Sequence, residues 1–519
     1  MRLRAGLLHP SPQWQQLLSQ EGFPAAVVDF NDFKPSDWSL LVLNRAVEGK
    51  ELSIISSYLH GGGAILTFMG HAGGLVGVSN CRSQIEYVVS RSGDPLEDVG
   101  LVDIETDCLV SREANVFPTE KGENSIFIGA LGKGYAADLP FDPATILFDS
   151  RRSTRLFYAT RERLPAEEVS HVGKGAIRFL IHRVLELLHH ARGLQYAHLG
   201  YFPGGRENLF AYRIDTDGGS RVEIEELHSV ASKCDIPLSW YLDVKSHEQW
   251  LGVFRSFQGH ETGVHCYEHR TYDSSLENSE NIARALGLMR ASGMDPAGFS
   301  SPFGHWNTGL AQAIDELGFL YSSEFSFAYD TLPFYPESSG RRFKALQIPI
   351  HPVCIGSMLR VGYGEQDMKQ YFHRSVDWKL CRSEPLFYYH HPANGCLDVV
   401  KDHFDYVKAR GIGTTTLADF ARWWKEREEI HFELATDGGK TEFRIASPRP
   451  ANHSVWLDVS SPDGFSKMIS RETGTAIRSE GEWQPVLRAL PPQDIRRTRE
   501  FDVRAFLGYW YNYFLRKLR

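Results

Sequence analysis

The chain has 519 residues, 42% of them apolar and 12% aromatic, and a formal charge of −9. That length exceeds one hydrophobic core and predicts about three domains, while the composition excludes a disordered chain. The charge is spread without long single-sign runs, which argues against a nucleic-acid partner, and the seven cysteines lie far apart with no CxxC, which argues against a disulfide framework or a cysteine zinc knuckle.

The opening stretch, MRLRAGLLHPSPQWQQLL, has too short an apolar run for a signal peptide. No later window is apolar enough for a membrane span. A cytoplasmic protein is expected.

Residues 1–195 alternate short β-branched runs with amphipathic segments. AAVVDF and WSLLVLN read as strands, KELSIISSYLHGGG as a helix stopped by glycines, and AILTFMG as a buried strand. That order predicts a flavodoxin-like or glutamine-amidotransferase-like α/β domain with a mostly parallel sheet. His60 to Gly63, HGGG, matches an oxyanion-hole motif of lipases, but no G-x-S-x-G follows, so a glycine cap and turn is the expectation. Neither Cys81 nor Cys108 sits on a G-x-C-x-G elbow, so this domain is expected to be non-catalytic.

Over 196–428 the candidate strands are LFAYRIDTD, PLSWYLD, TGVH, AGFSS, FLYSSE, LQIPI, LFYYHH and IGTTT, with helical patterns between several of them. Repeated βα units of this size predict a closed or nearly closed barrel whose functional residues gather at the carboxyl ends of the strands. In LFAYRIDTDGG, alternation puts Phe210, Tyr212 and Ile214 on one face and Asp215 and Asp217 on the other. Two carboxylates aimed the same way repel unless a cation or proton lies between them; the bland alternative is a solvated Asx turn.

His265 and His269 share a face if the chain turns helical there, and two imidazoles with one carboxylate make a common open metal site. The same letters spell H-x-x-E-H, a zinc-peptidase motif with Glu268 as base, although Gly263 before it and RTYDSS after it suit a long helix poorly. Further on, GFSSPFGHWN places Phe303 and Trp306 in a tight loop, where aromatic faces suit sugar rings. LFYYHH ends at His390 and His391, candidates for general-acid work near neutral pH.

Taken in this order, the residues over about 200–425 resemble the NodB-type polysaccharide deacetylases, metal-dependent enzymes that remove acetyl groups from glycans. The resemblance implies Asp217, His265 and His269 as the metal ligands, Asp215 as the base and His391 as the acid, with Phe303, Trp306, Tyr267 and His305 contacting substrate. It implies a divalent ion, zinc first, that polarises the acetyl carbonyl and activates water, the Phe303 amide helping to hold the oxyanion. The substrate would be an acetylated glycan, most simply an N-acetylated amino sugar in a polysaccharide or in a lipid- or nucleotide-linked precursor.

Two departures stand out. Thr216 separates the aspartates, which the family usually has adjacent, and Ser300 in FSSPFG stands where the family has an arginine that orients the base; Arg213 and His305 are the neighbours available to replace it. A catalytically silent carbohydrate-binding or scaffold protein is therefore the competing reading.

From 429 the pattern changes to period 2, with Ile430, Phe432 and Leu434, a DGG turn, then Phe443 and Ile445, and later Val455, Leu457 and Val459. Antiparallel hairpins in a small β-sandwich over 429–519 are expected. The tail FLGYWYNYFLRKLR, if helical, puts Phe506, Tyr509, Trp510 and Tyr513 on one face beside Arg516, Lys517 and Arg519. Such a face either docks on the core or makes peripheral contact with a membrane surface.

Overall fold

The structure is a computed structural model and describes residues 1–76, 80–156, 165–437, 440–446, 455–470, 476–478 and 507. The chain divides into two compact units. One gathers the described residues of 1–147, 172–207 and 426–492, the other those of 148–171, 208–425 and 493–519.

In the first unit the predicted strands form as read. Ala25–Val27, Ala5–Leu7, Leu40–Leu43, Ala64–Phe68 and Gly134–Leu139 lie side by side and parallel, and Asn124–Leu131 adds an antiparallel strand. The helix Gly49–His60 buries Ile55, Tyr58 and Leu59. The HGGG stretch is the turn that ends it. Gly62 has φ +95, and a Cβ on Gly63 would lie 2.4 Å from the Tyr58 ring, so both positions require glycine. Cys108 is buried and its thiol is pushed up to about 12 by that burial, with Asp107 and Glu120 adding to it, which leaves it inert as a nucleophile.

The hairpins past 429 do not stand as a separate body. Val455–Ser461 pairs antiparallel with Tyr196–Leu199 on one side and Gly464–Ser470 on the other. Phe432–Asp437, Lys440–Ile445 and Ala476–Arg478 form a second small antiparallel sheet. The inward residues of both, including Leu434, Phe443, Leu457 and Val459, share one core with Leu3, Ala197 and Leu199. The strand Tyr196–Leu199, which follows the expected boundary at 195/196, therefore groups with this unit and not with the barrel. Part of the DGG turn, and the aromatic and basic tail apart from Leu507, lie outside the described residues. No described helix is long and apolar enough to cross a membrane.

The second unit is a curled parallel sheet. Leu346–Gln347, Tyr321–Ser322, Gly298–Phe299, Glu261–Cys266, Leu238–Asp243 and Leu209–Asp215 follow one another, Leu386–His390 pairs on the far side of Leu209–Asp215, and Gly413–Thr414 also pairs with the start of that strand. No strand pairing among the described residues joins Leu386–His390 to Leu346–Gln347, so the barrel is open rather than closed. Helices cover its outer face. Ser220 and Glu223 form a reciprocal capping box at the start of Arg221–Cys234, whose Ile224, Leu227 and Ala231 are buried against the sheet.

Candidate active site

The carboxyl ends of the strands carry the site. Asp215 is the last residue of Leu209–Asp215 and almost fully buried. Thr216 is tied to the neighbouring strand, its amide and hydroxyl both donating to the Tyr241 carbonyl, and its hydroxyl accepting from the Asp243 amide at 2.9 Å. With Thr216 pinned to the sheet, the chain turns through Gly218 at φ +67, and Asp217 enters the same cavity as Asp215. The D-x-D spacing thus arises from a strand end followed by a turn, not from alternation along one strand.

His265 lies opposite no residue of Leu238–Asp243: Leu242 pairs with Val264 and Asp243 with Cys266. It is the extra residue of a β-bulge, a device that re-aims a side chain. Its Nδ1 is 2.8 Å from the Ser300 carbonyl, which can only accept, so Nδ1 carries the proton and Nε2 presents a lone pair.

His269 arrives by a different route from the one the sequence predicts. Residues 267–269 are a bend, not a helix. Asn281, on the helix Ser275–Ala291, braces that bend by accepting from the Glu268 amide and donating to the Glu268 and Arg270 carbonyls. Glu268 points outward to Lys245 and Tyr272, half exposed, which removes the peptidase alternative.

The three expected ligands converge. Asp217 Oδ1 lies 3.0 Å from Nε2 of both His265 and His269, and the two Nε2 atoms are 3.1 Å apart. Bonds of about 2.0–2.2 Å to one ion, the usual range for zinc with His and carboxylate ligands, place neighbouring ligands at about this separation. Three electron-rich atoms facing one point fit a divalent cation, and this is the one such group among the described residues.

On one flank, Arg213 Nη2 donates to Asp215 Oδ2 at 2.7 Å, and its Nη1 donates to the Ser323 carbonyl at 2.6 Å. The guanidinium is fully buried between the Tyr241 and Tyr389 rings. Among the described residues, Asp215 Oδ1 has no hydrogen-bond partner. On the other flank, His391 Nε2 is 3.3 Å from Asp217 Oδ2. Burial by itself would lower the His391 pKa, but the Asp217 charge and the Cys354 sulfur 3.9 Å from Nδ1 raise it to about 9. The Asp217 carboxyl is held well below the usual range: burial opposes this, and His391, His265 and His269 outweigh it.

Phe303 lines the cavity with its ring edge-on to His269 and its backbone at φ +61, an uncommon conformation for a bulky residue and one often found at functional sites. Three expected substrate contacts, Trp306, Tyr267 and His305, do not line the cavity. Trp306 is buried and stacks on Phe327 in a satellite core, because its neighbourhood is apolar on every side. Tyr267 packs into the main core with Arg284 over its ring. His305 bonds Glu168, whereas Arg213 is the residue that bonds Asp215.

Residues that the sequence did not single out complete the cavity of about 280 Å³: Glu167, Phe325, Cys354, Arg360, Tyr389 and Asn394. Cys354 follows a predicted strand, so the strand-end rule offered a signal for it. Glu167 had none, lying far upstream in what reads as a separate domain.

No family model matches this sequence, and no curated protein sequence matches it. Among solved structures, similar chains include polysaccharide deacetylases, CE4 family members and an allantoinase. A Mycobacterium smegmatis protein described as a polysaccharide deacetylase is 13% identical, over 44% of this chain and 93% of that one, with a TM-score of 0.38. A CE4 family pseudoenzyme from Bacillus anthracis is 13% identical over 42% and 66%, at 0.32. A family 4 carbohydrate esterase from Streptomyces lividans, in complex with acetate, is 14% identical over 40% and 91%, at 0.29. At such identities and scores, what the site does has to be read from its own geometry.

Proposed function

We propose that this protein is a metal-dependent deacetylase that hydrolyses the N-acetyl group of an amino sugar in a glycan or its precursor. The observation that carries the reading is the convergence of Asp217 Oδ1, His265 Nε2 and His269 Nε2 within 3.1 Å of one another, with Asp215 and His391 lining the same cavity. The donor set of two imidazoles and a carboxylate suits zinc among the first-row divalent ions. When bound, that ion supplies Lewis acidity and lowers the pKa of water at the site.

The protein's own groups divide the proton work. Asp215 Oδ1, buried and without a hydrogen-bond partner among the described residues, is the oxygen assigned to take the proton of the attacking water, while Arg213 fixes Oδ2 and with it the orientation of the carboxylate. His391 Nε2 faces the cavity 3.3 Å from Asp217 Oδ2, placed to give a proton to the departing amine. The Phe303 amide, in the strained loop Pro302–Gly304, is the backbone donor assigned to the developing oxyanion. Overall, the C–N bond of the acetamide breaks, the water oxygen bonds to the acetyl carbon, and acetate and the protonated amine leave.

Ser300 in place of an arginine supports a second, binding-only reading, in which the same cavity holds a sugar without turnover. Acetate release from N-acetylated amino sugars, measured with and without a chelator, tests both. Chelator-sensitive release is the expected result; sugar binding without release over a range of divalent metals establishes the silent alternative.

A further inference from the structure

The cavity is walled on one side by a segment from the amino-terminal part of the chain. Arg152–Leu156 and Ala166–Ser170 pair antiparallel, and the second strand runs between two rims of the site. On one rim, Glu168 bonds His305 at 3.2 Å and the Ser170 amide donates to the Phe325 carbonyl at 3.2 Å. On the other, Glu167 forms an ion pair with Arg360, the last residue of the helix Ile355–Arg360. Neighbouring strand residues point to opposite faces, so the two glutamates grip the two rims, and Glu167 lines the cavity together with Phe303, Phe325, Cys354 and Arg360.

Resting on the deacetylase reading above, we infer that the site takes a single neutral sugar unit, free or at a chain end, whose hydroxyls are read by Glu167 and Arg360. Volume is the first argument. About 280 Å³ lies at the lower edge of the ~300–1,000 Å³ of ordinary ligand pockets. An internal unit of a polymer needs an open path on both sides, and here one strand is bonded to both rims. Charge is the second argument. The Arg360 guanidinium is already paired with Glu167, so this wall offers no uncompensated cation to a carboxylate and suits the neutral hydroxyls of a sugar. A carboxylate beside guanidinium N–H groups offers an acceptor and donors at adjacent points, the pattern that vicinal hydroxyls complement.

The test uses the full chain loaded with zinc and N-acetylglucosamine oligomers of one to six units, including a hexamer blocked at both ends. Acetate release from the monomer, or from one terminal unit per oligomer, with none from the blocked hexamer, is expected; release from internal units overturns the inference. If no oligomer releases acetate, the deacetylase reading fails by itself. The size claim is then read from calorimetric binding, where equal affinity for blocked and free hexamers overturns it.

For the reading residues, Glu167→Ala and Arg360→Ala each raise KM about 10-fold or more with kcat little changed, as expected for hydrogen bonds to charged groups. Glu167→Ala also shifts preference toward a sugar bearing a carboxylate, because Arg360 is left unpaired. An unchanged KM together with unchanged charge preference assigns the pair a purely structural role and overturns this part of the inference.

Discussion

Arg213 and Asp215 stand two residues apart on one strand, and the guanidinium Nη2 of the first holds Oδ2 of the second at 2.7 Å in a pair that is almost fully buried. On the proposed reading, Arg213 is the cation that orients the base Asp215, a task that Ser300 has no charge to perform. A buried carboxylate needs a buried cation, and here the cation comes from the same strand, with its second arm tied to Ser323.

Arg213 is on this account a positioning residue. Arg213→Ala is expected to lower kcat by about 10²–10³, within the range a well-placed general base contributes, and to leave metal content unchanged. It is also expected to cost about 3–5 kcal/mol of stability, because it strands a buried charge. Arg213→Lys keeps the charge but reaches Asp215 or Ser323 and not both, so it recovers stability more than rate. A wild-type kcat in folded Arg213→Ala rules out the positioning role.

The metal assignment separates Asp217 from Asp215. One divalent ion per chain is expected, with Asp217→Ala or His269→Ala reducing occupancy to background, since two remaining protein ligands are too few to retain it. Asp215→Asn keeps the ion and loses hydrolysis. Elemental analysis of the three dialysed variants checks this; an Asp215→Asn protein without metal beside a loaded Asp217→Ala protein exchanges the two roles.

Much of this site could be read from the chain, because strand ends are written in apolar alternation. LFAYRID and LFYYH are runs whose termination marks where Asp215, Asp217 and His391 emerge, and the strands formed there. What alternation does not encode is the local backbone departure. The bulge at His265 and the bend before His269 depend on register with Leu238–Asp243 and on Asn281, which stands some way downstream. Trp306 and Tyr267 were misread for a related reason: aromatic composition reports apolar surface, not which side of a loop faces the cavity. Glu167 lay beyond any local rule, since its place depends on a hairpin from outside the 196–428 stretch packing among residues of the second unit.

In the first unit, Glu21 is fully buried and holds Arg178 at 2.8 Å, His182 at 3.0 Å and the Tyr201 hydroxyl at 2.8 Å. Removing that carboxylate leaves a buried guanidinium without its counter-charge. Glu21→Ala is expected to cost about 3–5 kcal/mol, whereas Arg152→Ala, whose partner Glu168 is reached at a half-exposed surface, costs under about 1 kcal/mol. Urea midpoints of the two variants check the contrast, and equal small shifts remove Glu21 as an anchor of the unit.

Acid is expected to destabilise this unit in two steps. Burial lowers His189 to about 3 and His198 to about 4, so both are neutral in the folded state, whereas the unfolded chain takes up protons near pH 6.5. The unfolded state then binds more protons between those values, and stability present above pH 6.5 is lost as pH falls toward 4. Glu21 adds a second step. Its burial would raise the carboxyl, but Arg178 and His182 lower it to about 2 against 4.5 unfolded, so its contribution disappears as pH falls from 4.5 toward 2. Asp138, raised from 3.8 to about 7 by burial, has the opposite sign: its neutral form favours the fold at low pH, and that contribution is lost as pH rises from 3.8 to about 7. His189 and His198 together outweigh it, so stability still rises toward neutral pH, and Asp138→Asn should steepen the rise between pH 4 and 6.5. Urea midpoints of both proteins from pH 3 to 9 measure this; an Asp138→Asn curve that stays level between pH 6.5 and 4 means that His189 and His198 do not hold their neutral forms in the fold.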